Sequence, residues 1–149
     1  MKFHVPDLTQ HPPRSPRVRL GGYVILPRIL DKGRAALAGL NGEYNYDCPT
    51  DRQFFDFAGI DAEALRQQLA LGLGDGQILA WIQARSRTHP EPAQIAAWSA
   101  HQETRTPTTL EMRQFYQEEH QRIAPHREDL STWFDLLDLD DFVSFGGIA

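Results

Sequence analysis

Three features of this chain predict an all-α fold: an irregular bundle of six to seven short helices behind an extended Pro/Arg-rich N-terminal arm. Apolar residues recur at helical spacing in one segment after another. Helix-start residues stand where those segments begin. Prolines and glycines interrupt them at short intervals. Only the stretch 41–49 has the two-residue alternation of a strand, through Tyr44 and Tyr46, and a lone strand makes no sheet.

Residues 1–20 form the predicted arm, and residues 21–149 a single helical domain. Pro6, Pro12, Pro13 and Pro16 each lack a backbone donor and drive the preceding residue out of the helical region. The first helix is expected over 23–38, with Leu26, Ile29, Leu30, Gly33 and Leu37 on one face, Pro27 in the first turn and Gly39 near the end. Gly33 lies inside that apolar face. A glycine there costs about 1 kcal/mol against alanine, so a close helix–helix approach is its expected use. The Gly21-Gly22 pair lacks the spacing of a phosphate loop and has no βαβ context, so it reads as a tight turn.

A second helix is expected from Thr50, boxed by Gln53 and carrying Phe54, Phe55 and Phe57 to Gly59. A third follows an Asp61 cap with Leu65 and Leu69 and ends at Gly72 and Gly74. The fourth opens near Asp75 and carries Ile78, Leu79, Trp81 and Ile82. The fifth follows Pro90 and Pro92 with Ile95 and Trp98. The sixth opens at Thr108 with Glu111 three positions on and stops at Pro125. A short seventh spans 130–137 with Trp133, Phe134 and Leu137. The three tryptophans have aliphatic neighbours and read as core.

The length of 149 residues suits one domain. A single cysteine, Cys48, excludes an intramolecular disulfide framework and favours a reducing, cytoplasmic setting. The first five residues carry no apolar signal core, and no run of about 18 apolar residues exists to span a membrane. Charge is unevenly placed. Residues 1–34 hold seven basic side chains against two acidic ones, a net +5. Since the whole chain carries −5, the remainder carries −10. Two readings follow: the basic start folds against acidic surface of the same molecule, or it builds a site for an anion.

The anion reading centres on Arg14, Arg17, Arg28, Lys32 and Arg34, with Tyr23 or Tyr44 offering a hydroxyl or a stacking face. A guanidinium fork pairs with carboxylate or phosphate at two points. Arg28, Asp31 and Lys32 are expected opposite the apolar stripe of the first helix, either as part of that site or as a solvated face with local pairs. Clustered cations also suit nucleic acid, but the −10 remainder repels it and no nucleic-acid module is present. Cys48 stands between Asp47 and Pro49; it reads as a small buried thiol, or as a nucleophile if a base serves it. Glu119 falls amid the stripe Met112, Phe115, Tyr116 and Ile123, where a carboxylate must be paired or protonated. The expected partner is an N-terminal arginine, with an exposed helix edge or an acid–base role as alternatives. The six histidines fit no metal-site spacing, and no cofactor motif is present.

Several blocks resemble a bacterial family described only as domain of unknown function 5069. They are Asp7-Leu8-Thr9, Pro12-Pro13-Arg14-Ser15-Pro16-Arg17, Leu20-Gly21-Gly22-Tyr23, Leu26-Pro27-Arg28 and Asp31-Lys32-Gly33-Arg34-Ala35. Gly42-Glu43-Tyr44, Cys48-Pro49, Phe57-Ala58-Gly59-Ile60-Asp61 and Ile78-Leu79-Ala80-Trp81 continue the resemblance. It implies a small soluble bacterial protein and supplies no catalytic residues. The expected function is therefore a binding protein for a small phosphate- or carboxylate-bearing ligand, with its site where the arm meets the first helix. One alternative is an enzyme on a small anionic substrate, for which Glu119, Asp31 and Tyr44 are the nominees for acid or base. Another is an interaction module or homo-oligomer without a small ligand.

Overall fold

The computed structural model describes residues 4–149, and among these it contains seven α-helices and no strand. They are α1 (Leu26–Leu37), α2 (Pro49–Ala58), α3 (Ala62–Ala70), α4 (Asp75–Arg85), α5 (Pro92–Thr104), α6 (Leu110–Ile123) and α7 (Trp133–Ser144). None is long and apolar enough to cross a membrane. The fold is all-α, as the helical periodicity predicts.

The first helix begins three residues later than its apolar pattern suggests, because the backbone ahead of it is used otherwise. Gly21 and Gly22, at φ 58° and 85°, close a turn in which Leu20 and Tyr23 exchange two backbone hydrogen bonds of 3.0 Å. Ser99 on α5 then holds the strand-like exit: its hydroxyl donates to the Gly22 carbonyl at 2.6 Å and accepts the Val24 N–H at 3.1 Å. Ile25 precedes α1 at φ 73°, a region that β-branched residues rarely enter. Complete burial of its side chain and a 2.8 Å bond from its N–H to the Pro16 carbonyl hold it there.

The principal core gathers Val24, Ile25, Leu26, Ile29 and Leu30 with Phe54, Phe55, Leu65, Leu69, Ile78, Ile82 and Phe134. Tyr23 packs edge-on to Phe54 at 5.1 Å, and Phe57 stacks on Trp98 at 5.0 Å. A smaller core joins Tyr116, Ile123 and Ala124 to Leu136 and Leu139, so α6 is anchored chiefly on α7. Gly33 serves the close approach expected of it. A Cβ there would lie 2.5 Å from a methyl of Leu69 on α3 and 3.2 Å from the Tyr46 ring.

Four local expectations differ from the structure. Residues 41–48 are successive turns rather than a strand, and the two tyrosines point to different partners: Tyr44 to Asp141, Tyr46 to the Ala62 carbonyl. The start of α2 uses Cys48 and Asp51, not Thr50 and Gln53; the Cys48 N–H donates to the Asp51 carboxylate. The side chain that caps α6 is Thr109, not Thr108. Helix α7 runs on to Ser144, through Asp138, Asp140 and Asp141, because each of these acids finds a partner elsewhere in the chain.

Candidate functional site

Each cation from Arg14 to Arg34 meets a carboxylate, and the partners sort the cations into separate places. Arg14 and Arg34 converge. Arg14 donates through Nε and Nη2 to the two oxygens of Asp31, both at 3.0 Å, and its own backbone N–H reaches Asp31 at 2.9 Å. Its Nη1 reaches Oδ2 of Asp75 at 2.7 Å, while Nη1 of Arg34 reaches Oδ1 of the same carboxylate at 2.8 Å. Nη2 of Arg34 also donates to the Leu73 carbonyl at 3.1 Å. Three segments supply this group: the N-terminal segment, α1, and the Gly72-Leu73-Gly74 turn into α4.

Burial disfavours the Arg14 cation, but its bonds to Asp75 and Asp31 outweigh that and hold its pKa above the usual arginine value. Burial likewise pushes the Asp75 carboxyl up, and the hydrogen bonds and charges of Arg14 and Arg34 more than offset it, leaving it below its ordinary value. The group borders a cavity of about 770 Å³. Its polar lining is Arg14, Arg34, Asp31, Asp75, His4 and His11, and Val5, Pro6, Leu37, Leu69 and Leu73 lead its apolar wall.

Arg28 and Lys32 lie elsewhere and are not solvated. Both are buried, at 5% and 4% exposure, because the face of α1 opposite the main core is covered by α7 and by the turns before α2. Arg28 forks onto Asp141 at 2.7 and 3.2 Å. The Tyr44 hydroxyl donates to Asp141 at 2.7 Å, and the Arg28 guanidinium lies over the Tyr44 ring. Lys32 donates to Asp51 at 2.8 Å and to the Cys48 sulfur at 3.4 Å. These pairs flank a second cavity of about 540 Å³, which Glu43, Tyr44, Cys48 and Asp140 also line. The local pairs of Asp31 with Arg28 and Lys32 do not form; Asp31 belongs to Arg14.

The remaining candidates are dispersed. Arg17 reaches Asp135 and Asp138 on α7, and Arg19 reaches Glu103 on α5. Tyr23 sits in the aromatic core at 3% exposure, where its hydroxyl is raised above the ordinary value by burial. Glu119 pairs with Arg122 on its own helix, not with an N-terminal arginine. The stripe that placed it inside is rotated: Tyr116 and Ile123 are buried, but Met112 and Phe115 are 41% and 54% exposed. Lys2 lies outside the described residues.

Chemically, the acid–base nominees do not share a site. The oxygens of Asp31 are occupied by three donors from Arg14. Tyr44 is pushed up by burial and further by its bond to Asp141, so it is a proton donor to that carboxylate and no base. Glu119 lines neither cavity. Among the described residues no group of three metal-ligating side chains comes together. What the cavity of about 770 Å³ offers is a carboxylate-shaped slot between two guanidiniums, beside an apolar wall. Asp75, which fills that slot, and Leu73, whose carbonyl holds Arg34, carry no sequence signal beyond a helix start and a glycine-flanked turn.

No curated protein matches the chain. A family model described as Domain of unknown function (DUF5069) matches residues 10–143, nearly the whole chain, and the protein therefore belongs to that family.

Proposed function

We propose that this protein binds a small anionic ligand, carboxylate or phosphate, in the cavity between the N-terminal segment and α1. The observation that carries the reading is the convergence of Arg14 and Arg34 on one carboxylate at the wall of a cavity of about 770 Å³, within the size range of small-molecule sites. Of the six residues nominated for the ligand, Arg14 and Arg34 make this site. Arg17, Tyr23, Arg28 and Lys32 support the fold around it. In this reading the described part of the N-terminal segment, residues 4–20, acts as an arm over the helical domain 21–149. The setting is a bacterial cytoplasm, favoured by the single cysteine and by the family resemblance.

The test is a thermal-shift screen of the full chain against phosphorylated metabolites, nucleotides and carboxylates at fixed salt. A ligand that binds only the folded state at 100 times its Kd adds about 2.7 kcal/mol. For a chain of this size that raises Tm by roughly 5–10 °C. Arg34→Gln should abolish the shift and stay folded, since Asp75 keeps Arg14 as a partner. No shift with any anion, or a shift unchanged in Arg34→Gln, overturns the reading and favours a protein-interaction role.

A further inference from the structure

We infer that the ligand of the arm cavity is a monocarboxylate with an aliphatic body, and that its carboxylate replaces Asp75 between Arg14 and Arg34. The inference deepens the anion reading above and rests on it. Asp75 already shows what the slot accepts: one oxygen takes Nη1 of Arg14 at 2.7 Å, the other takes Nη1 of Arg34 at 2.8 Å. This is two-point recognition of a single carboxylate by two forks.

The two acids of the group are not equally fixed. Asp31 has a side chain only 13% exposed and takes three bonds from Arg14, so it holds that guanidinium in place. Asp75 has a side chain 32% exposed and stands at the first residue of α4, directly after Gly72-Leu73-Gly74. Its carboxylate makes no capping bond at the start of α4, where the Gly74 N–H is taken by Gln77 at 3.0 Å. Asp75 can therefore turn to water while Arg14 stays aimed. Exchange of one carboxylate for another leaves the charge between the guanidiniums unchanged, whereas a phosphate dianion adds a charge beside Asp31.

The rest of the lining sets the body of the ligand. Val5, Pro6, Leu37, Leu69 and Leu73 face the cavity, and among the described residues the imidazoles of His4 and His11 are its only aromatic rings. A sugar or nucleobase would set polar atoms against the aliphatic walls, with His4, His11 and the ion-pair group as the only side chains there to pair them. A saturated chain loses nothing there and gains about 0.8 kcal/mol per buried CH₂, about fourfold in affinity for each.

Isothermal titration of the full chain with acetate, butanoate, hexanoate and octanoate, with inorganic phosphate alongside, tests the inference. Affinity should climb severalfold per added methylene until the cavity is filled, and Arg34→Gln should lose the whole series. Asp75→Asn should bind each carboxylate more tightly, since the amide competes less well for two guanidiniums. Binding of phosphate and acetate with Arg34 dependence but no gain with chain length overturns the aliphatic class and leaves the anion reading intact. Chain-length dependence with no tightening in Asp75→Asn overturns the exchange. If no anion binds at all, the anion reading itself fails and takes this inference with it.

Discussion

Replacing Asp51 by alanine should cost more stability than any other single charge removal in the chain. Asp51 is fully buried, and its partner Lys32 is only 4% exposed. The carboxylate accepts the ammonium at 2.8 Å and also meets the Cys48 N–H at the start of α2. Removing it leaves the ammonium buried with the Cys48 sulfur alone, a loss of about 3–5 kcal/mol. The lost bond at the start of α2 adds about 1 kcal/mol. Against a total of roughly 5–15 kcal/mol for a domain, Asp51→Ala approaches unfolding. Urea denaturation followed by circular dichroism measures the difference. The double variant Lys32→Met/Asp51→Leu should recover most of the loss, because a packed apolar pair replaces a buried ion pair at little or no cost. The reasoning is refuted if Asp51→Ala changes stability by less than about 1 kcal/mol, or if the double variant is as unstable as the sum of the two single changes.

Three further outcomes follow from the same geometry. Glu119→Ala should change stability by no more than about 1 kcal/mol, since its pair with Arg122 is local and solvent-accessible; a loss near 3 kcal/mol in the same urea assay contradicts the assigned pairing. Ser99→Ala should cost about 1–3 kcal/mol, because it strips the Gly22 carbonyl and the Val24 N–H of their shared partner; an unchanged Tm would mean those groups are satisfied without it. Asp75 is depressed below its ordinary 3.8, so it contributes stability that is present above about pH 4 and lost as pH falls through its folded value. Acid titration of stability should therefore show a shallower decline in Asp75→Asn over that window, and an identical slope contradicts the pairing.

The helix order was legible because it depends on local signals. The Asp61 cap, Pro27 in the first turn of α1 and the Gly33 contact are each set by a few neighbouring residues, and each is found in the structure. What periodicity missed was set by distant partners. Arg28 and Lys32 look solvated on a helical wheel, yet Asp141 and Asp51 draw them inside. Ser15, Arg122 and Arg28, all distant in sequence, likewise take the acids that carry α7 past Leu137, where a run of aspartates reads as an end. Tyr23 carries helical spacing, but Ser99 and the Gly21-Gly22 turn have captured its surroundings. For the candidate site, the concentration of positive charge points to the N-terminal segment and the first helix, and Arg14 and Arg34 stand together there on one carboxylate. Asp75 was not legible, because nothing within its own neighbourhood marks it as the carboxylate that two distant arginines share.

The most direct test of the site is a two-dimensional NMR titration of the labelled full chain with hexanoate and, separately, inorganic phosphate. The side-chain N–H signals of Arg14 and Arg34 and the amides of Gly72, Leu73, Gly74 and Asp75 should move together and saturate. The amides of Cys48 and Asp51, beside the second cavity, should stay where they are. Shifts confined to the Lys32 and Cys48 surroundings, or no saturable shift with either anion, would contradict the placement of the site.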